Sequence, residues 1–127
     1  MPKKILVVED DRVTSAVICH MLKSAGYDVV TARDASSTVK VVREANPDLI
    51  TLDIVLALES PDDTMDGFKV ASWLKRLNPD KETPIILISG MPVEKLAPGA
   101  ASVNACTFLT KPVVKETLLA AVANALK

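Results

Sequence analysis

Asp48-Leu49-Ile50-Thr51-Leu52-Asp53 decides the fold. The run is apolar and rich in strand formers, starts after Asn46-Pro47 and stops abruptly on a carboxylate. It reads as a buried central strand that delivers Asp53 to its C-terminal edge. A carboxylate in that position is costly to bury without a partner, so a cation, a hydrogen-bonding shell or a chemical role is expected beside it.

The same pattern recurs on both sides of this strand. Ile5-Leu6-Val7-Val8 is an unbroken β-prone run, as a parallel strand covered on both faces requires, and it ends in Glu9-Asp10-Asp11. Residues 12–25 carry Val13, Ala16, Val17, Met21 and Leu22 at helical spacing, and Gly26 is a natural stop. Residues 28–32 read as a second strand. Asp34 or Ser36 can cap a helix bearing Val39, Val42 and Ala45, which Asn46-Pro47 closes.

Beyond Asp53, residues 54–65 have loop composition, with Glu59, Pro61, Asp62 and Asp63 among them. A helix from Asp66 to Asn78 places Val70, Leu74 and Leu77 on one face. Pro84-Ile85-Ile86-Leu87-Ile88-Ser89-Gly90 is a fourth strand ending in a hydroxyl. Residues 93–97 make a weak helix between Pro92 and Pro98. Cys106-Thr107-Phe108-Leu109-Thr110 is a fifth strand followed by Lys111-Pro112. Residues 113–126 form a last helix with Leu118, Leu119, Val122 and Leu126 toward a core.

Five strands alternating with helical segments indicate an α/β fold, a doubly wound parallel sheet with helices on both faces. At 127 residues, 49% hydrophobic and 24% charged, the chain suits one domain over residues 1–127. Fifteen basic against sixteen acidic residues give a net charge of -1. That balance gives no general attraction to nucleic acid or anionic lipid. No apolar run has the length of a membrane span or a signal-peptide core, so a cytoplasmic protein is expected. Cys19 and Cys106 each sit within apolar patterns and read as small buried thiols. His20 is the one histidine and reads as a partly exposed helix residue.

In open sheets of this kind ligands bind beyond the strand C-termini, where strand order reverses. Glu9, Asp10, Asp53, Ser89 and Lys111 all fall at strand C-terminal ends, on one rim. Converging carboxylates repel one another, and a hard divalent cation relieves that repulsion, with magnesium the best fit. The Ser89 hydroxyl and the Lys111 ammonium suit phosphoryl oxygens instead. Together these groups describe phosphoryl transfer to an aspartate. Taken singly they read otherwise: Glu9 to Asp11 as a helix N-terminal charge cluster, Lys111 as a solvated lysine, Ser89 as a turn residue.

The ordered set resembles the response-regulator receiver domain of bacterial two-component signalling. An acidic pair follows strand one, aspartate ends strand three, Ser or Thr ends strand four, and Lys-Pro follows strand five; the likeness covers essentially the whole chain. The resemblance implies a flavodoxin-like sheet of order 2-1-3-4-5. It implies Asp53 as phosphoacceptor and Mg2+ held by Glu9, Asp10, Asp53 and the backbone carbonyl of Val55. Ser89 and Lys111 would bind the phosphoryl group, Ser89 and Phe108 would switch, and the Lys111-Pro112 bond would be cis. Phe108 is equally readable as plain core. A histidine kinase or phosphotransfer protein would be the donor and a target protein the downstream partner, with no direct binding to nucleic acid or membrane. As a protein with no activity beyond autocatalytic phosphoryl transfer and dephosphorylation, it would act alone, in a relay, or as part of a larger chain.

The sequence departs from that family in two places. Asp66 stands 13 positions beyond Asp53, about six more than the motif leads one to expect, so the loop over residues 56–65 is enlarged. It reads either as a partner-facing gate over Asp53 or as an insertion tolerated at little entropic cost. The weak helix over residues 93–97 is the second departure. Val55 and Met91 stand two positions past Asp53 and Ser89, places that the resemblance to receivers implies influence access of the hydrolytic water. Neither side chain can orient water by hydrogen bonding, so slow loss of the phosphoryl group is expected.

Two other functions compete. In a magnesium-dependent aspartyl-nucleophile phosphatase a second acid commonly stands two residues past the nucleophile. Val55 occupies that place and has no proton to give. The other is a receiver-like binding module that is never phosphorylated.

Overall fold

The computed structural model describes residues 2–9, 11–33, 35–53, 83–89 and 107–126, and for Asp53, Ser89 and Phe108 it describes the backbone. Asp10, Val55, Met91, the loop over residues 56–65, the helix expected from Asp66, the weak segment at residues 93–97 and Cys106 lie outside these residues.

The elements are β1 (Lys4–Val8), α1 (Arg12–Ser24), β2 (Asp28–Ala32), α2 (Ala35–Ala45), β3 (Leu49–Asp53), β4 (Ile85–Ser89), β5 (Thr107–Thr110) and α3 (Lys115–Ala125). The five strands form one sheet of order β2-β1-β3-β4-β5. Every pairing is parallel, so the expected doubly wound sheet of order 2-1-3-4-5 is present.

Alternation along β1 divides the core into two faces. Ile5 and Val7 join Leu49, Ile86 and Ile88 in a buried cluster closed by Ile18 and Leu22 of α1 and by Leu118 and Val122 of α3. Leu6, Val8, Ile50, Leu52 and Leu87 are equally buried and belong to the intervening register rows. α2 packs against β1 and β2 and carries the buried Thr38 and Val42. Strands buried on both faces are largely apolar, which is why the runs of β1, β3 and β4 were readable as strands. Among the described residues no helix is long and apolar enough to cross a membrane.

Helix ends follow the capping chemistry written in the sequence. Asp11 is the N-cap of α1, and its Oδ2 accepts the Thr14 backbone N–H at 3.0 Å and the Thr14 hydroxyl. At the other end Gly26 adopts φ +94°. Its N–H reaches Lys23 O at 3.0 Å and the Tyr27 N–H reaches Leu22 O at 3.2 Å, a Schellman closure in which Cβ strain, not crowding, favours glycine. Asn46 takes φ 48° as α2 ends, a conformation that asparagine tolerates better than most residues.

Several boundaries and faces differ from expectation. α1 stops at Ser24, with Ala25 as C-cap, and α3 begins at Lys115, with Val114 in extended conformation before it. β3 starts at Leu49 and β4 at Ile85. Asp48 instead spends its carboxylate on the Lys4 N–H at 2.9 Å, and Pro84, lacking an N–H, offers its carbonyl to Ile50 N at 3.0 Å. Cys19 is half-buried, not buried. The largest difference concerns α1: Val13 and Val17 are 71% and 45% exposed, and Ile18 with Leu22 forms the buried stripe. Apolar residues at 13, 16, 17, 18, 19, 21 and 22 span more than one helical face, so spacing alone left the choice to the sheet.

The Asp11 cap gives a pH-dependent prediction. Hydrogen bonds from the Thr14 hydroxyl and backbone N–H hold its carboxyl below the ordinary 3.8, with the nearby Lys111 charge adding to the effect. A carboxyl whose pKa is lowered on folding contributes stability above its unfolded value and loses it as pH falls through the folded one. Asp11→Ala is therefore expected to lower the urea midpoint at neutral pH, with the gap to the parent protein narrowing below pH 3.8. A gap that stays constant across a series of urea titrations down through that range contradicts the capping account.

Candidate functional site

Strand register assembles the site. Val8 stands opposite Leu52, Leu52 opposite Leu87 and Leu87 opposite Phe108. One residue further along, Glu9 follows β1 while Asp53, the last residue of β3, stands opposite Ile88. One step beyond, Ser89 stands opposite Thr110, and Lys111 follows. The backbone thus brings Glu9, Asp53, Ser89 and Lys111 to one edge of the sheet, across the β1–β3 crevice where strand order reverses.

Glu9 leaves β1 while its N–H still donates to Ala32 O at 3.1 Å, which extends the β1–β2 ladder by one residue. This holds its side chain inside, at 2% exposure. Lys111 Nζ lies 3.2 Å from Glu9 Oε2 and 3.5 Å from Oε1, and Oε1 also accepts the Asp11 N–H at 3.2 Å. Burying a carboxylate demands such charge-assisted partners. The Lys111 side chain is 26% exposed, so the ammonium stands at the margin between the buried acid and solvent. The Lys111-Pro112 peptide is cis.

Sequence reasoning did not foresee that Lys111 pairs with Glu9. It assigned the lysine to phosphoryl oxygens alone, although an acid at another strand end on the same edge was the available signal. Of the three expected carboxylates, Glu9 is the one whose side chain is described; Asp10 lies outside the described residues, and Asp53 and Ser89 are placed by their backbones. Phe108 ends the row Val8, Leu52, Leu87, on the outermost strand β5 and one row inside the C-terminal rim.

A groove of about 460 Å³ starts at Lys111 and runs between α1 and the segment leading into α3, bounded by Val13, Val17, Pro112 and Val113. Val114, 53% exposed, lies beside it in sequence, and with Val13 and Val17 it completes the exposed large hydrophobics among the described residues.

Known proteins match this architecture. A family model described as the response regulator receiver domain matches residues 5–123. The nitrogen assimilation regulatory protein NtrX of Azorhizobium caulinodans is 32% identical over 127 residues, which is 100% of this chain and 27% of that protein. The chemotaxis protein CheY of Treponema pallidum is also 32% identical, over 99% of this chain and 84% of its own length. The solved structure of the chemotaxis protein CheY4 of Vibrio cholerae superposes with a TM-score of 0.85 at 27% identity, covering 99% of this chain and 100% of that one. The chain therefore spans about a quarter of NtrX but most of the length of the chemotaxis proteins. A sheet of this order, with a family model matched along nearly its whole length, makes the chain a member of the response regulator receiver family.

Proposed function

We propose that the chain is a single receiver domain over residues 1–127 that accepts a phosphoryl group on Asp53 from a phosphohistidine of a histidine kinase or phosphotransfer protein. The observation that carries this reading is the shared edge: the register aligns Asp53 and Ser89 with Glu9 and Lys111, and Lys111 reaches a buried carboxylate at 3.2 Å. A carboxylate oxygen of Asp53 attacks phosphorus, the P–O bond forms as the P–N bond to the donor imidazole breaks, and that nitrogen keeps the electron pair and takes up a proton. The Ser89 hydroxyl donates to a phosphoryl oxygen and the Lys111 ammonium moves from Glu9 toward the added charge, while Phe108 responds as the switch residue.

The donor set fits a hard cation. Glu9 offers an anionic oxygen fixed at a strand end and already facing positive charge from Lys111; Asp10, Asp53 and the carbonyl of Val55 would complete the binding of Mg2+. When bound, the ion draws charge from the phosphoryl oxygens and relieves repulsion among the carboxylates. No further catalytic activity belongs to this reading beyond autocatalytic acceptance and loss of the phosphoryl group, in the cytoplasm and without direct contact to nucleic acid.

Incubation with acetyl phosphate and magnesium, followed by intact mass, tests the proposal. One stable adduct per chain is expected, absent when the cation is chelated. Repeated turnover of varied phosphomonoesters without an adduct points instead to the phosphatase, and neither adduct nor turnover to an unphosphorylated binding module.

A protein donor must cover surface next to Asp53 to bring its histidine into reach. The exposed valines along the groove that begins at Lys111 supply that surface. Val17→Asp is expected to slow transfer from the protein donor roughly tenfold or more, as for a central interface residue, with acetyl phosphate labelling unchanged. Equal slowing with both donors contradicts the docking role.

A further inference from the structure

A second cleft, of about 280 Å³, lies between α1 and the end of β2 on the same side of the sheet edge as Glu9. Arg12 and Arg33 stand among its walls, with Ser15, Thr31 and Cys19. Both arginines are exposed, while Ser15 and Cys19 are half-buried. Among the described residues neither guanidinium is within ion-pair distance of a carboxylate, although the chain holds sixteen acids for fifteen bases. Glu9, which also borders the cleft, has its carboxylate engaged by Lys111 and the Asp11 N–H.

We propose that this cleft is a binding subsite for a small multivalent phosphate-class anion, held between the guanidiniums of Arg12 and Arg33 over the Ser15 and Thr31 hydroxyls. Two planar forks can each grip a pair of phosphate oxygens, a geometry that single-point lysines do not offer. At about 280 Å³ the cleft is large enough for a phosphate or pyrophosphate. Bound there, an anion sits beside the rim without entering it, and it covers Cys19.

Cys19 makes the subsite measurable. With Cys106→Ser as background, the rate of Cys19 alkylation by uncharged N-ethylmaleimide is followed without divalent cations, in pyrophosphate or in chloride of matched ionic strength. Protection should follow 1 + [L]/Kd, reaching about fivefold at roughly four times Kd, and should vanish in Arg12→Gln/Arg33→Gln. Pyrophosphate acting no differently from chloride, or protection persisting in the double variant, overturns the proposal. In the unsubstituted protein the backbone amide shifts of Ser15, Cys19 and Thr31 report the same titration without thiol chemistry; shifts that fail to saturate, or that saturate equally in the double variant, also overturn it. Because Asp53 takes no part, these results stand apart from the fate of the phosphoacceptor reading.

Discussion

Asp53→Asn is expected to abolish covalent phosphorylation by acetyl phosphate while leaving the fold intact. The loss should be complete, since an amide oxygen is too weak a nucleophile to displace acetate from phosphorus and the register puts no other residue at that point of β3. Asparagine is nearly isosteric with aspartate, and it removes one charge from an edge that also carries the buried Glu9. Thermal stability should therefore hold or rise, because like charges converging on one site destabilise it. An adduct of undiminished yield in the variant would move the acceptor elsewhere; loss of the adduct together with loss of cooperative unfolding would make the result a folding defect.

Lys111→Met is expected to cost about 1–3 kcal/mol. Removing one partner of a fully buried pair costs about 3–5 kcal/mol because the other charge is stranded. Lys111 is 26% exposed, so solvent screens part of that loss. The stranded charge is what should matter, and a double-mutant cycle isolates it. In a Glu9→Gln background the same change at Lys111 should cost distinctly less, since no buried anion is left behind. Equal cost in both backgrounds, read from chemical denaturation, would show that Lys111 stabilises the chain through its stem and not through Glu9.

The strands were legible because burial on both faces leaves a plain signature. Ile5 to Val8 and Ile85 to Ile88 are apolar at every position, and no helix period competes over so short a run. Gly26 and Asn46 marked helix ends because their backbones enter the left-handed region. The face of α1 was not legible, since Val13, Val17, Ile18 and Leu22 are all apolar and β-sheet packing selected the last two. Exposed valines look like core valines until the neighbour is known.

At the site, the sequence identified which strand ends carry functional groups, because parallel topology sends all C-termini to one edge. It did not identify who pairs with whom. Glu9 and Lys111 are 102 positions apart, and their contact depends on β1 and β5 being held at fixed spacing by β3 and β4. Asp11 illustrates the opposite case. Its role as N-cap is local, and it belongs to the helix-terminal charge cluster that the acidic run Glu9-Asp10-Asp11 also allowed. Arg12 and Arg33 drew no notice, since isolated arginines in a sequence carry no sign of the cleft they share.

The central claim, that Asp53 receives the phosphoryl group, is tested most directly by locating the group. After reaction with acetyl phosphate and magnesium, borohydride reduction converts an aspartyl phosphate to homoserine, and peptide mass spectrometry reads its position. The account predicts homoserine at position 53 and at no other aspartate. Homoserine at Asp10 or Asp11, or none at all from protein that carries the adduct, would contradict it.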